Sequence, residues 1–176
     1  IALKMVAFPH IAKATDAQGW ANLTTGLRIA ASRTVLSRIL IGMFAFSFVC
    51  LPFVGLFPTI ARTSLGLDTK GTTYIWLYAT WGLGAMIGAL AVGTVLAGFD
   101  KRRMIPPLLL GFAVSLAVFA VLRGPGPAFV VGFALGFFYF AMATSMMTVF
   151  QQNLHNSEAA RVMSLWFMAF GGSVSV

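Results

Sequence analysis

The chain has 176 residues, of which 59% are hydrophobic and only 9% charged. A water-soluble domain carries about 25% charged residues, so this composition cannot cover a surface facing water; most of the chain must sit in lipid. The net charge of +8 does not mark a nucleic-acid binder, because the cations lie between apolar runs and form no continuous basic face.

The mixed, polar stretch 1–34 reads as a cytoplasmic linker, with residues 1–7 as the tail of a preceding helix. Within it Leu23, Leu27, Ala30 and Ala31 recur at helical spacing beside Arg28 and Arg33. That pattern suits a cationic helix lying on the inner leaflet, and a plain linker fits as well. Residues 35–176 then read as a transmembrane half, cut short. The chain opens on Ile1 and stops at Val176 inside an apolar run, so it reads as a fragment. No secretory signal is visible.

A membrane helix needs about 20 mainly apolar residues. Charged residues bracket such runs and predict spans over 37–61, 73–97, 104–122 and 127–150, with a truncated fifth over 160–176. These runs are too long and too uniformly apolar for barrel strands. The fold class is therefore all-α, a polytopic transmembrane helix bundle. In the first span, Pro52 and Pro58 each remove an amide donor and read as inert kinks or as hinges. Ser47 and Cys50 are the polar groups nearest the first proline. Cys50 is the only cysteine, so no internal disulfide forms, and it reads as a small packing residue.

In the second span, Gly84 and Gly88 lie along one face, with Gly93 on an adjoining one. Small residues let membrane helices approach closely, either as static packing or as a surface for sliding. Thr80 adds a hydroxyl there. Tyr74, Trp76 and Tyr78 form an aromatic belt at one end of this span. Pro106 and Pro107 open the third span, where a missing amide costs little. Arg123-Gly-Pro-Gly-Pro127 is a tight reversal before the fourth. In the fourth span, Thr144, Ser145, Thr148, Gln151 and Gln152 fall on one side, and Tyr139, Met142, Met146 and Phe150 on the other. A polar stripe avoids lipid, so it is expected to face the bundle or an aqueous cavity. Gln151 and Gln152 can equally mark the end of the span. Asn156-Ser157-Glu158 reads as a helix start.

Lysine and arginine set orientation. Lys4, Lys13, Arg28, Arg33, Arg38, Lys101, Arg102, Arg103 and Arg161 lie on one side, and Arg62, Lys70 and Arg123 on the other. This bias puts residue 1 and the Asp100 and Glu158 loops in the cytoplasm of a multi-pass inner-membrane protein. No enzyme is expected: His10 and His155 are far apart, and no acid–histidine pair, metal spacing or nucleophile elbow appears. Neither a cofactor nor a metal is expected.

Four segments in order, GLRIAASRTVLSRIL, LPFVGLFPTIARTSLGL, WLYATWGLGAMIGAL and ARVMSLWFMAFGG, resemble the C-terminal half of a major facilitator superfamily transporter. The likeness runs over helices seven to eleven of twelve and looks nearest the enterobactin-exporter-like branch. It covers most of residues 24–172. In the family's loop signature, Gly93 matches the glycine, and Lys101 and Arg102 the basic pair. Ala97 falls at the acidic position, and Asp100 stands where glycine is usual, which puts the charge relay of that signature in doubt. Arg161-Val162-Met163-Ser164 matches the family before the fifth span, although Ala159 and Ala160 replace its usual Arg-Gly.

The resemblance implies two halves rocking about a midplane site, with the first, second, fourth and fifth spans here bordering the cavity and the third facing lipid. The expected function is secondary active transport, as an exporter of small amphipathic molecules by alternating access. The alternative is a non-transporting scaffold or sensor on the same fold. Substrate-cavity candidates are Ser47, Cys50, Thr80, Thr144, Ser145 and Thr148. Gly93, Asp100, Lys101, Arg102, Arg103 and Arg161 are candidates for the cytoplasmic gate and for setting topology. Expected partners are the lipid bilayer, the missing N-terminal half and a small-molecule substrate, with no nucleic acid.

Overall fold

A computed structural model describes residues 17–154 and 159–171, and among these it holds six α-helices and no strand. They are α1 (Ala17–Ser32), α2 (Thr34–Thr63), α3 (Thr72–Gly93), α4 (Lys101–Val121), α5 (Pro125–Gln152) and α6 (Ala159–Gly171). Helices α2 to α5 are long and apolar enough to cross a membrane. In such surroundings every backbone amide must bond within its own helix, which is why these runs are helical. Residues 1–16, with His10, lie outside the described residues, as do 155–158, with His155 and Glu158, and 172–176.

The helix ends differ from expectation for local reasons. The helix of the third span begins at Lys101, earlier than 104, because the Asp100 carboxylate caps it by accepting the Arg102 backbone N–H at 3.0 Å. Pro106 and Pro107 therefore lie inside α4 rather than at its opening. They free the carbonyls of Arg102 and Arg103 from helical bonding. Helix α5 starts at Pro125, where a missing amide costs nothing. Helix α3 stops at Gly93, short of 97, and the chain turns through residues 94–99. Helix α2 runs unbroken past Pro52 and Pro58, so the carbonyls of Phe48 and Val54 lose their usual donors.

Helix α5 is the centre of the packing, with α3 along one side and α4 along another. The α3–α5 seam is built on glycine. Gly84 lies against the Phe133 carbonyl, Gly88 against the Phe137 carbonyl, and Gly136 of α5 against the Trp81 carbonyl. A methyl group at any of the three would meet backbone that cannot move aside. Gly93 does not join this seam; it is exposed, and none of the described residues comes within 4 Å of a Cβ placed there. Across from the seam, Gly111 of α4 receives the ring of Phe138, whose carbons would stand 2.6–2.8 Å from an added Cβ.

Aromatic rings bring α2 to this core. Phe46, Phe112 and Tyr139 meet with centroids 5.0–5.8 Å apart, joining α2, α4 and α5. Further along, Phe57 stacks on Phe119 at 5.6 Å, and Phe53 meets the same ring edge-on at 5.9 Å. Such pairs contribute about 0.5–1.5 kcal/mol each beyond their burial. Helix α4 buries one stripe (Leu108, Phe112, Ser115, Phe119) and leaves Leu109, Leu110, Val114, Val118 and Val121 exposed. Helix α1 packs against α6 and α2. Its Gly26 and Ala30 are buried, while Leu27, Arg28 and Ala31 are exposed.

Candidate functional site

Each helix rises about 1.5 Å per residue, so height along the bundle can be read from position. Ser47 stands midway along α2, Trp81 midway along α3 and Tyr139 midway along α5. The three belong to one ring-lined region: the Trp81 and Tyr139 rings are 6.3 Å apart, and Tyr139 lies 5.0 Å from Phe46, the neighbour of Ser47 in sequence. Ser47 is fully buried, and neither its Oγ nor the buried Trp81 Nε1 has a hydrogen-bond partner among the described residues. Leaving such a group unsatisfied costs about 1–3 kcal/mol. Cys50, one turn on, is also buried.

The other hydroxyl candidates are bonded to their own helices. Thr80 Oγ1 donates to the Trp76 carbonyl, Ser145 Oγ to Ala141 and Thr148 Oγ1 to Thr144, each at 2.8 Å. This i−4 bonding uses the single hydroxyl proton and leaves only acceptor lone pairs for anything else. Thr80 faces a shallow surface hollow with Phe129, Val130 and Phe133. Thr144, Ser145 and Thr148 lie well past the middle of α5, within its last few turns. The polar stripe is only partly covered: Ser145 is buried, Thr144 and Thr148 are half-buried, and Gln151 and Gln152 are exposed. The opposite side, Tyr139, Met142, Met146 and Phe150, is the buried one, because bulky apolar groups gain most from packing. Thus Ser47, Cys50 and Thr80 share one height, and the α5 hydroxyls sit below them.

At the end of the bundle that carries Arg38 and Lys101-Arg102-Arg103, polar contacts join three elements at Asn153, the residue closing α5. Its side-chain oxygen accepts from Arg102 at 2.9 Å, and its backbone oxygen accepts from Arg33 at 3.2 Å. Its own amide donates to the Val149 carbonyl at 2.7 Å. Lys101 is buried, and its Nζ donates to the carbonyls of Leu96, Ala97 (2.9 Å) and Phe99 (3.1 Å). It closes the turn after α3. Asp100 caps α4 and pairs loosely with the exposed Arg103 at 3.8 Å. Arg161 lies on α6, and its side chain is outside the described residues.

Beside this junction a crevice of about 830 Å³ opens between α2, α4 and α5. Arg38 and Arg102 flank its mouth, and Ile39, Gly42, Phe46, Leu109, Met142 and Met146 are among the groups that line it. Cys50 stands at its deep end.

Sequence reasoning missed Trp81, Asn153 and this crevice. The signal for Trp81 is its height: tryptophan in a membrane helix belongs at the interface, and this one sits mid-span. Asn153 reads in sequence as part of a polar span end, and nothing in the sequence tells that two arginines from distant segments meet it. Among the described residues no group of histidine, cysteine and acidic side chains could hold a metal ion.

No curated protein and no solved structure matches the chain. The family model of the Major Facilitator Superfamily matches residues 4–176. With that match running almost end to end over a bundle of membrane-crossing helices, the chain belongs to the Major Facilitator Superfamily, a family of membrane transporters.

Proposed function

We propose that the chain is part of the C-terminal half of a secondary active transporter. It works by alternating access and exports small amphipathic molecules across the inner membrane, with residue 1 on the cytoplasmic side. The observation that carries this reading is the pair of orphaned buried polar atoms, Ser47 Oγ and Trp81 Nε1, midway along their spans. Buried polar atoms are nearly always hydrogen-bonded, so each of these two calls for a partner that a bound substrate would supply. The bilayer midplane is where transporters of this architecture hold substrate.

Ser47, Cys50, Trp81 and Tyr139 form the substrate-facing group of this half. The half-buried Thr144 and Thr148 line the path toward the cytoplasm. The phenylalanine- and methionine-rich character of the spans suits the greasy part of a varied substrate by adaptable packing. The glycine seam between α3 and α5 holds these two helices together as one unit when the halves rock. We place the chain with the enterobactin-exporter-like branch, on the four segments that carry the resemblance.

The test is uptake into inside-out vesicles containing the full-length transporter of which this chain is proposed to be a part, with a fluorescent amphipathic cation or a siderophore-like acid under an imposed proton gradient. Accumulation above equilibrium is expected, and Ser47→Ala with Trp81→Phe should weaken apparent affinity several-fold. Equilibration without accumulation would mean a channel or a scaffold.

A further inference from the structure

The crevice between α2, α4 and α5 has a polarity that runs along the membrane normal. Its lining on α2 extends from Val35 to Cys50, which at about 1.5 Å per residue spans about 22 Å. One leaflet of the hydrocarbon core is about 15 Å deep, half of about 30 Å. The crevice therefore has the length of one leaflet plus its headgroup layer. Below the mouth its lining is apolar: Ile39, Gly42, Phe46, Leu109, Met142 and Met146. Its deep end lies at Phe46 and Cys50, and the Phe46 ring is also part of the cluster with Phe112 and Tyr139.

The mouth is cationic. Arg38 and Arg102 both line it, and both are exposed. Arg102 bonds the neutral Asn153, so its charge is not cancelled, and the ion pair between Asp100 and Arg103 uses neither. Asp68, the other acid among the described residues, lies beyond the far end of α2. Two guanidinium groups with no acidic partner among the described residues, over an apolar slot one leaflet deep, match one kind of molecule, a phosphate carried on an acyl chain. Basic pockets between membrane helices at a cytoplasmic surface recognise anionic headgroups in this way.

We propose that this crevice binds an anionic phospholipid, with its phosphate at Arg38 and Arg102 and an acyl chain lying along α2 between α4 and α5. The bound lipid fills the space between α2 and α4 on the basic side of the ring cluster. The site does not depend on the chain transporting anything.

The experiment uses the purified full chain, stripped of lipid in mild detergent and titrated separately with phosphatidylglycerol, phosphatidylcholine of the same chains, and inorganic phosphate. Phosphatidylglycerol is expected to bind at least tenfold more tightly than either. A Lys or Arg near an anionic headgroup contributes about 1 kcal/mol, so Arg38→Gln and Arg102→Gln should each weaken that binding about fivefold. Arg38→Lys should retain most of it, and Arg62→Gln, at the opposite end, should change nothing. Ala45→Phe, which fills the slot, should weaken both lipids while circular dichroism remains helical. A photoreactive acyl chain should label peptides containing Leu109, Met142 or Met146. The proposal fails if the two lipids bind equally, if phosphate alone binds as well, or if the arginine variants have no effect. It also fails if label falls elsewhere, or if a cross-linker placed at Ala45 captures another segment of the same chain.

Discussion

Ser47 and Gly88 mark two opposite uses of a small side chain in this bundle. Ser47 places a hydroxyl in the core where no hydrogen-bond partner among the described residues meets it. Ser47→Ala should therefore leave thermal stability unchanged or raise it by up to about 1 kcal/mol, since an unsatisfied buried donor costs more than the methyl that replaces it. Weaker substrate binding alongside intact stability, measured by thermal melting and uptake on the same preparation, would separate a binding role from a packing one. Gly88 is the reverse case, where the absence of a side chain is what the fold uses, because the Phe137 carbonyl occupies the place of its Cβ. Gly88→Val should cost about 1–3 kcal/mol or more, as overpacking does, and lower the folded yield. Gly93→Val, which meets nothing, should be tolerated in the same melting assay.

At the scale of elements, charged residues at the edges of apolar runs made the spans legible. Arg38 to Arg62 and Arg103 to Arg123 bracket α2 and α4 to within a turn or so. Ends set by capping were less legible. The Asp100 cap starts α4 early, and the turn that Lys101 closes ends α3 early. The glycine seam was legible at Gly84 and Gly88 because helical spacing alone puts them on one face, and Gly93 fell outside because α3 ends there. The polar candidates were less so. Hydropathy cannot tell a hydroxyl bonded to its own helix, as Thr80, Ser145 and Thr148 are, from one that is free. Nor could the sequence bring Arg33 and Arg102 to Asn153, which is a contact among three separated segments. Asn153→Ala keeps the backbone acceptor of Arg33 and removes that of Arg102. Because Arg102 is exposed, the loss should be small, about 0.2–1 kcal/mol. It should appear as faster amide exchange at the end of α5, with exchange at its middle unchanged.

For the whole molecule, the arrangement bears on what drives transport. The part of α2 between Arg38 and Arg62 has no acid and no histidine, and neither do α3 and α5. Proton-driven carriers use such a group within the membrane. Cys50 and Tyr139 are poor substitutes at neutral pH, with reference pKa values of about 8.5 and 10. Under the proposed function, in which the chain belongs to one half of a transporter, proton coupling is expected to reside in the other half, while this one supplies shape, polar contacts and gating. Thr144→Ala, Ser145→Ala and Thr148→Ala in the full-length protein should shift apparent affinity and leave the pH profile of uptake in place. A substitution within this chain that abolished proton dependence yet spared binding would overturn the division. The chain by itself should carry no flux when purified into vesicles, since rocking needs two halves.

Lys101 and Lys70 differ in one respect that a chemist's reagent can read. Lys70 is exposed, so an amine-acylating probe reaches its nitrogen directly. The Lys101 nitrogen has three N–H bonds, directed at the carbonyls of Leu96, Ala97 and Phe99, and the side chain is buried. In the folded protein the probe should modify Lys70 and spare Lys101, although both stand near the end of a membrane helix. The ratio of the two modified peptides then becomes an internal gauge of whether the turn between α3 and α4 is intact. Any detergent, variant or lipid that loosens this turn should raise Lys101 labelling before global unfolding sets in.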